Sequence, residues 1–159
     1  MTATTNAFSA VAWPTFRSDD SDPQVAALQY LLGARGHHLA ADGIFGPRTE
    51  AAVRAFQASA HLATDGVVGP RTWAAVVLTV RRGSTGDAVR AVQWESVIRH
   101  AQGGLAVDGD FGPRTEAYVR DFQVVLTERF PADHIALDGI VGQVTWRAFV
   151  AGIEGLDGS

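Results

Sequence analysis

Cysteine and lysine are both missing from this sequence of 159 residues. The absence of cysteine excludes disulfides, thiol catalysis and cysteine-bound metal. All 13 basic residues are arginine, and the formal net charge is -4 with a pI of about 5.6. Proteins that bind DNA or RNA usually carry a basic excess or a basic stripe. We therefore do not expect this acidic chain to bind nucleic acid.

Long apolar runs are missing as well. No segment approaches the roughly 20 consecutive apolar residues that a transmembrane helix needs. The first residues, MTATTNAFSAVAWPTF, show no basic segment ahead of their apolar patch, so no secretory signal is visible. If the protein is exported, we expect either that a signal has been removed or that another route is used. Hydrophobic residues make up 47%, which is enough for a packed core.

The common signatures of metal and nucleophile chemistry are not found. The five histidines lack the spacing of a zinc-binding helix, and there is no G-x-S-x-G nucleophile motif. The stretch Asp108-Gly109-Asp110 resembles the start of a calcium loop, but Gly112 and Val119 stand where oxygen ligands are needed. We expect no metal, no cofactor and no enzymatic activity.

What the sequence does contain is one motif written four times. DGIFGPRTE (42–50) and DGDFGPRTE (108–116) differ at a single position, and DGVVGPRTW (65–73) and DGIVGQVTW (138–146) are looser versions. Asp-Gly pairs favour turns, and Gly-Pro commonly begins a helix. Each motif is therefore predicted to be a turn that starts a helix, rather than a set of catalytic acids. The structural residues of the four motifs are Asp42, Gly43, Gly46, Pro47, Asp65, Gly66, Gly69, Pro70, Asp108, Gly109, Gly112, Pro113, Asp138, Gly139 and Gly142.

The repeat extends well beyond the motifs. Residues 15–29 match residues 79–93 at an offset of 64, and the offset becomes 66 at Asp108 and 73 at Asp138. The second copy therefore carries two extra residues before its first Asp-Gly and seven more before its second. Since loops tolerate length changes, we predict that both insertions lie in loops.

Each copy has the apolar spacing of three helices. We predict an all-α fold of two tandem three-helix modules with short turns or β-bridges at the Asp-Gly motifs. Modules this small are marginal alone, so the two are expected to pack together or to share the linker between them. The predicted division is an N-terminal arm (1–13), module 1 (14–78), module 2 (79–153, with an insertion near 124–137) and a C-terminal tail (154–159).

The ordered segments DGIFGPRTEAAVRAFQ and DGVVGPRTWAAV resemble the peptidoglycan-binding domain of type 1, and the resemblance extends over the chain twice. It implies a non-catalytic helical module that holds a protein on the glycan or stem peptide of the bacterial cell wall, in an extracellular or wall-associated location. A cell-wall hydrolase or another protein is an implied partner. The repeats occupy nearly the whole sequence, so we expect no catalytic domain within it.

Copy two departs from this pattern, which leaves an alternative open. Glu95 and Ser96 replace Leu31 and Leu32, and the segment 124–137 is longer than its counterpart. The second copy would in that case be a protein-interaction scaffold that keeps the fold without binding cell wall, with 124–137 as its partner surface. An enzyme is possible only if an unrecognised site lies between the modules.

Two kinds of residue are candidates for ligand binding. Tyr30 and Trp94 occupy matching positions on the side of their helix away from the apolar stripe, where an aromatic ring can stack on a sugar or pack against the other module. Arg48, Arg71 and Arg114 each follow Gly-Pro in the first turn of a predicted helix, where the guanidinium can bind a stem-peptide carboxylate or be an ordinary solvated group.

Several recurring residues have an architectural interpretation. Trp73 and Trp146 lie on the apolar side of their predicted helices and are assigned to the core. In Phe56-Gln57 and Phe122-Gln123 the ring is predicted to fill the core, while the amide caps a turn or bonds to backbone; a ligand role for the amide remains the alternative.

Overall fold

The computed structural model describes residues 7–100 and 103–153 of the chain. Within these residues there are six α-helices, two short 3₁₀ turns and no β-strand. This confirms the all-α prediction. The helices are α1 (Pro23–Ala34), α2 (Pro47–Ser59), α3 (Pro70–Val76), α4 (Asp87–Arg99), α5 (Pro113–Arg129) and α6 (Gln143–Val150), and the 3₁₀ turns are Phe8–Ala10 and Pro131–Asp133.

The helix starts follow from local sequence. The Asp22 side chain caps α1 by accepting from the backbone N–H of Gln24, and Pro23 takes the first helical position. The helices α2, α3, α5 and α6 each begin after an extended glycine of a repeated motif. Proline follows that glycine in all but α6. The motif therefore has the same local role at each of its four occurrences.

The same contacts recur in the two halves of the chain. Phe16 pairs with Val68 in an antiparallel bridge, and at the equivalent place Val80 pairs with Val141. A second pair of bridges, Ser21 with Ile44 and Thr85 with Asp110, is likewise equivalent.

The buried tryptophans repeat in the same way. The indole N–H of Trp73 donates to the carbonyl of Pro14 at 2.8 Å, and that of Trp146 donates to Leu78 at 2.7 Å. Both rings have no exposed surface, as expected for core residues. Residues 79–153 therefore reproduce the bridges and core anchors of residues 14–78.

One arginine in each half ties the end of the third helix to the first helix. Arg35, directly after α1, donates to the carbonyls of Ala75, Val76 and Val77 at the end of α3. Arg99, at the equivalent position of α4, donates to Phe149 and Ile153 at the end of α6. The last carbonyls of a helix lack intrahelical partners and carry negative potential, so a guanidinium stabilises them.

The two halves pack through α1 and α4, and their buried side chains form one apolar cluster. At this contact the carboxylate of Glu95 is fully buried and lies 2.6 Å from Arg99. The amide of Gln24, on α1, donates to the same carboxylate at 3.0 Å and to the carbonyl of Phe149. Burial raises the pKa of Glu95, although Arg99 opposes this effect. The departure of copy two at Glu95 is thus part of the interface between the halves.

The prediction that the seven-residue insertion of copy two is a loop is wrong in part, because the helix is four residues longer than its counterpart. Helix α5 continues to Arg129 and is followed by a 3₁₀ turn, so it has 17 residues against 13 in α2. The added residues extend the apolar spacing through Phe122, Leu126 and Phe130, which are all buried. An insertion that keeps the helical period lengthens the helix.

The N-terminal arm contributes to the core of the second half. Phe8 is buried, and its ring meets that of Phe130 edge to face at 5.4 Å. Nearer the first helix, Trp13 stacks on Trp73 at 6.0 Å. The arm therefore contacts both halves. Residues 1–6 of the arm, residues 101 and 102 near the two-residue insertion, and the C-terminal tail (154–159) lie outside the described residues.

None of the helices in the described part of the chain is long and apolar enough to cross a membrane.

The buried pair at the α1–α4 contact gives a test of this packing. Replacing Arg99 with Met leaves Glu95 buried without its cation, and we expect a loss of about 3–5 kcal/mol in the free energy of unfolding. Glu95→Leu is expected to cost less, because Arg99 keeps its bonds to the carbonyls of Phe149 and Ile153, as Arg35 does beside Leu31 in the first half. Urea denaturation of the two variants and of the double variant measures both effects. Equal losses from the two single variants would contradict this account.

Candidate functional site

Four buried glutamines organise the four repeated motifs. Gln29, Gln57, Gln93 and Gln123 are each at most 2% exposed, and each faces one Asp-Gly turn and the threonine that follows it. We call each such group of a glutamine, a turn and a threonine an amide clamp. Because the clamps set where the helices begin, they also position the surfaces around them.

The first clamp shows how the turn is held. The Gln29 amide nitrogen lies 3.0 Å from the Asp42 carboxylate, 3.1 Å from the Ile44 carbonyl and 3.0 Å from the Thr49 hydroxyl. The Gln29 amide oxygen accepts from the backbone N–H of Gly43 at 3.0 Å. Two N–H bonds serve three acceptors, so one of these contacts is shared. The buried amide is thereby satisfied at both ends.

Glycine is required in these turns for its backbone conformation. Gly43 has φ of 77°, in the left-handed region that side chains with a Cβ rarely adopt. A Cβ at this position would lie 3.2 Å from the carbonyl oxygen of Asp22. The turn and the start of α1 are therefore in close contact.

The other three clamps have the same geometry. Their glutamine nitrogens lie 2.9–3.3 Å from the aspartate, the carbonyl and the threonine, and each glutamine oxygen accepts from the glycine N–H at 2.9–3.0 Å. The members are Gln57, Asp65, Gly66 and Thr72; Gln93, Asp108, Gly109 and Thr115; and Gln123, Asp138, Gly139 and Thr145.

The aspartates accept hydrogen bonds from their own turns. Asp42 accepts from the backbone N–H of Ile44 at 3.0 Å, and Asp65 and Asp108 accept from the residue two positions on in the same way. These backbone bonds are the main reason that the pKa of each of the three carboxyls lies below its usual value, with the glutamine amide adding to the effect. The carboxylates therefore stabilise the turns by accepting backbone hydrogen bonds.

Two equivalent clefts lie beside the first and third clamps. The first cleft has a volume of about 630 Å³ and the second about 610 Å³. Each is lined by a leucine and by the proline and arginine that begin a helix: Leu39, Pro47 and Arg48 in the first cleft, and Leu105, Pro113 and Arg114 in the second. Concave surfaces of this size are typical of small-ligand sites.

The clefts differ in charge and polarity. In the first cleft, Ile44 presents a side chain that is 57% exposed, while Asp110 stands at the equivalent place in the second. The second cleft also contains Asp121 and the half-buried Tyr118, whose pKa is raised by burial. The first cleft is therefore the more apolar and the less acidic of the two.

The five candidate ligand residues do not form one site. Arg48 and Arg114 are exposed and line the first and second clefts. Arg71 is exposed at the start of α3 and is not among the residues that line either cleft. Tyr30 is half-buried against the apolar cluster, and Trp94 is half-buried.

For Trp94, the packing alternative is the one that the geometry favours. Its indole N–H donates to the carbonyl of Pro23 in the other half at 2.9 Å. This hydrogen bond between α4 and the start of α1 stabilises the contact between the two halves. Its partner position, Tyr30, likewise packs against the core rather than projecting freely.

Sequence reasoning missed the roles of Gln29 and Gln93. For Gln57 and Gln123 the prediction of turn capping is correct in general terms, and their partners are the Asp-Gly turns that follow them. The signal was present, because a glutamine after an apolar residue precedes each Asp-Gly by 8 to 15 positions. Variable spacing hides such a pairing from a search for fixed motifs.

Within residues 7–100 and 103–153, no group of three or more histidine, aspartate or glutamate side chains is placed to hold a metal ion.

Comparison with known proteins gives a family match within the first half. Residues 21–76 match the family model described as "Putative peptidoglycan binding domain". This match covers all of α1, α2 and α3 and ends before the linker to the second half.

Two curated proteins share part of the sequence. An uncharacterized protein of the bpoA1 3' region in Kitasatospora aureofaciens is 44% identical over 62 residues, which is 39% of this chain and 47% of that protein. The zinc D-Ala-D-Ala carboxypeptidase of Streptomyces albus G is 41% identical over 69 residues, which is 43% of this chain and 24% of that protein. The matched segments thus span about half of the first relative and a quarter of the second.

The hydrogen-bonded turn aspartates predict a dependence of stability on pH. Because the pKa values of Asp42, Asp65 and Asp108 are lowered in the folded chain, they stabilise the fold above the unfolded value of about 3.9, and this contribution is lost as pH falls through the folded values. Asparagine keeps the acceptor oxygen but does not titrate. We expect the triple Asp→Asn variant to lose less stability than wild type between about pH 5 and pH 2, measured by urea denaturation.

The matched control is Asp121→Asn, an exposed aspartate outside the clamps. It should leave the slope of stability against pH close to that of wild type. A triple variant with the same slope as wild type would show that the turn carboxylates are not responsible.

Proposed function

We propose that the chain is a non-catalytic module that binds bacterial peptidoglycan and anchors or targets a protein to the cell wall. The observation that carries this proposal is the match of residues 21–76 to the peptidoglycan-binding family model. The candidate ligand residue Arg48 lies within the matched segment and lines the first cleft. The segment that matches the family model therefore also contains an exposed, concave surface.

The second half supports binding at a second, equivalent place. It repeats the amide clamps, the bridges and the tryptophan anchors of the first half. Its cleft keeps the leucine, proline and arginine of the first cleft. Two sites held at a fixed distance on one chain raise the overall affinity for a polymer, because the second binding event becomes intramolecular. We propose that the two halves act as a tandem pair on the repetitive cell wall.

The clefts have chemistry suited to this polymer. Arg48 and Arg114 each stand in the first turn of a helix, where the guanidinium fork and the free backbone N–H groups favour a carboxylate. Peptidoglycan stem peptides carry such carboxylates. In the first cleft, Leu39, Ile44 and Pro47 add an apolar surface against which the less polar face of a sugar or a peptide side chain can pack. We propose that the arginine binds the carboxylate and that the apolar wall positions the rest of the ligand.

This function places the protein at the cell wall, outside the membrane, with a cell-wall hydrolase or another wall protein as a partner. The name of the Streptomyces albus G relative describes an enzyme with D-Ala-D-Ala carboxypeptidase activity, which fits a shared wall context. The segment in common is a quarter of that enzyme. For the present chain we propose binding without catalysis.

A protein-interaction scaffold is the competing function. Val124 and Leu137 expose 40% and 49% of their surface in the segment proposed for a partner. In the same segment, Leu126 and Phe130 are buried and belong to the core. The available partner surface is therefore smaller than the inserted sequence implies, and wall binding is the better supported function.

Sedimentation with purified sacculi tests the proposal. Arg48→Glu and Arg114→Glu each reverse the charge of one cleft, and we expect the double variant to bind at least about tenfold more weakly than wild type, because hydrogen bonds to charged groups contribute about 1.5–3 kcal/mol each. Each single variant should fall between wild type and the double variant. Incubation with dye-labelled cell wall should release no dye.

The matched control is Arg17→Glu, which reverses an exposed arginine outside the clefts and should sediment like wild type. Arg71→Glu, in the same Gly-Pro-Arg-Thr context as Arg48, is expected to bind normally because Arg71 lines neither cleft. Wild-type protein that stays in the supernatant would contradict wall binding and favour the scaffold. Release of dye would contradict a non-catalytic function.

A further inference from the structure

A third cleft, of about 440 Å³, lies at the start of α6 in the second half. Its walls are the first turn of α6, residues 133–136 of the insertion, and the N-terminal 3₁₀ turn at Phe8–Ala10. The first half lacks the insertion. The described contacts of the Phe8 ring are with Phe130 and Arg147, which both belong to the second half. This cleft is therefore a feature of the second half and not of the repeat.

Arg147 is the arginine that lines the third cleft. Its guanidinium carbon lies 4.4 Å from the centroid of the Phe8 ring, and Nη2 donates to the Phe8 carbonyl at 3.3 Å. The ring and the carbonyl together hold the guanidinium in one place. At the equivalent position of α3 the residue is Ala74, so the first half has no such group.

The charge of Arg147 is not neutralised by an ion pair. In the described ranges 7–100 and 103–153, the salt bridges of the chain involve other cations, and Arg147 has none. Its Nε atom is buried and has no hydrogen-bond partner. A guanidinium has five N–H donors, of which the contact with Phe8 uses one. Since Nε has no exposed surface, the donors that remain for the oxygens of a ligand are the other three N–H groups of Nη1 and Nη2.

The surroundings determine which anion is favoured. Helix α6 has no acidic residue in its first turn, whereas α2 and α5 have Glu50 and Glu116 there. The cleft does contain Asp133, which accepts from the backbone N–H of Phe8 at 2.9 Å, and Asp138, which belongs to the fourth clamp. Because two carboxylates line the same cleft as Arg147, a multiply charged anion such as phosphate is disfavoured relative to a singly charged carboxylate, and an ammonium group is favoured.

The apolar walls indicate the rest of the ligand. Val144 exposes 43% of its surface at the rim, and Ile135 lines the same cleft. A small aliphatic side chain can pack there while a carboxylate reaches Arg147. We propose that the third cleft binds a short peptide with small aliphatic side chains and a free C-terminal carboxylate, which Arg147 binds. This site is additional to the first and second clefts and does not depend on their binding cell wall.

A titration with alanyl-alanine and with its C-terminal amide tests the proposal on the full chain. We expect the dipeptide acid to perturb the NMR amide signals of residues 142–147, and we expect the dipeptide amide to bind at least tenfold more weakly. Inorganic phosphate should bind more weakly than the acid. Equal binding of acid and amide, tighter binding of phosphate, or perturbations confined to the first and second clefts would overturn the proposal.

Variants of Arg147 complete the experiment. Arg147→Met keeps an apolar contact with Phe8 and removes the charge, so it should weaken binding of the acid at least tenfold and leave binding of the amide unchanged. Arg17→Met is the matched control and should bind the acid like wild type. If Arg147→Met does not fold, the acid and amide comparison on wild type still decides.

This experiment is separate from the test of wall binding. Absence of dipeptide binding at residues 142–147 would overturn the third site while leaving sedimentation through the first and second clefts unaffected. Absence of sedimentation would overturn wall binding while leaving the dipeptide titration unaffected.

Discussion

The buried glutamine amide is the interaction on which the rest of this structure depends. A glutamine in a core costs free energy unless both ends of its amide are satisfied. Here one short turn supplies the needed groups, since the glycine N–H donates to the amide oxygen while the aspartate, a carbonyl and a threonine accept from its nitrogen. The same hydrogen bonds fix the geometry of the turn, so the helix that follows begins at a defined residue. Four such clamps determine where α2, α3, α5 and α6 start, and two of them position the clefts that carry Arg48 and Arg114.

The second constraint is the contact between the halves. The first half meets the second through α1 and α4, where Gln24, Glu95 and Arg99 form a buried polar group. Trp94 and the N-terminal arm add further contacts between the halves. The substitution of Glu95 for a core leucine is therefore compatible with a preserved fold. In the structure this packing holds the two clefts at a defined separation.

Much of this fold is predictable from sequence because its signals are local. The Asp-Gly and Gly-Pro pairs mark the turns and helix starts, and the apolar spacing identifies the helices and the buried Trp73 and Trp146. The prediction failed where it relied on length alone. The length difference predicts a seven-residue loop, but the apolar spacing continues through Leu126 and Phe130, so four of these residues lengthen α5 and the others lie beyond its end.

The candidate site was less predictable, because it depends on contacts between distant segments. Arg48, Arg71 and Arg114 have nearly identical neighbours in sequence, and only the fold separates the two that line clefts from the one that does not. In the same way, nothing near Trp94 in the sequence shows that Pro23 accepts its N–H. The third cleft joins Phe8 to Arg147, and no short-range pattern connects them.

The most direct test of the central claim is an NMR titration of the isotopically labelled full chain with soluble peptidoglycan fragments. The claim is that two equivalent clefts at the starts of α2 and α5 bind the cell wall. It predicts that amide signals shift around Gly46 to Thr49 and around Gly112 to Thr115, with the shifts saturating. Fragments that leave both regions unchanged, or that shift signals only on other surfaces, would contradict it.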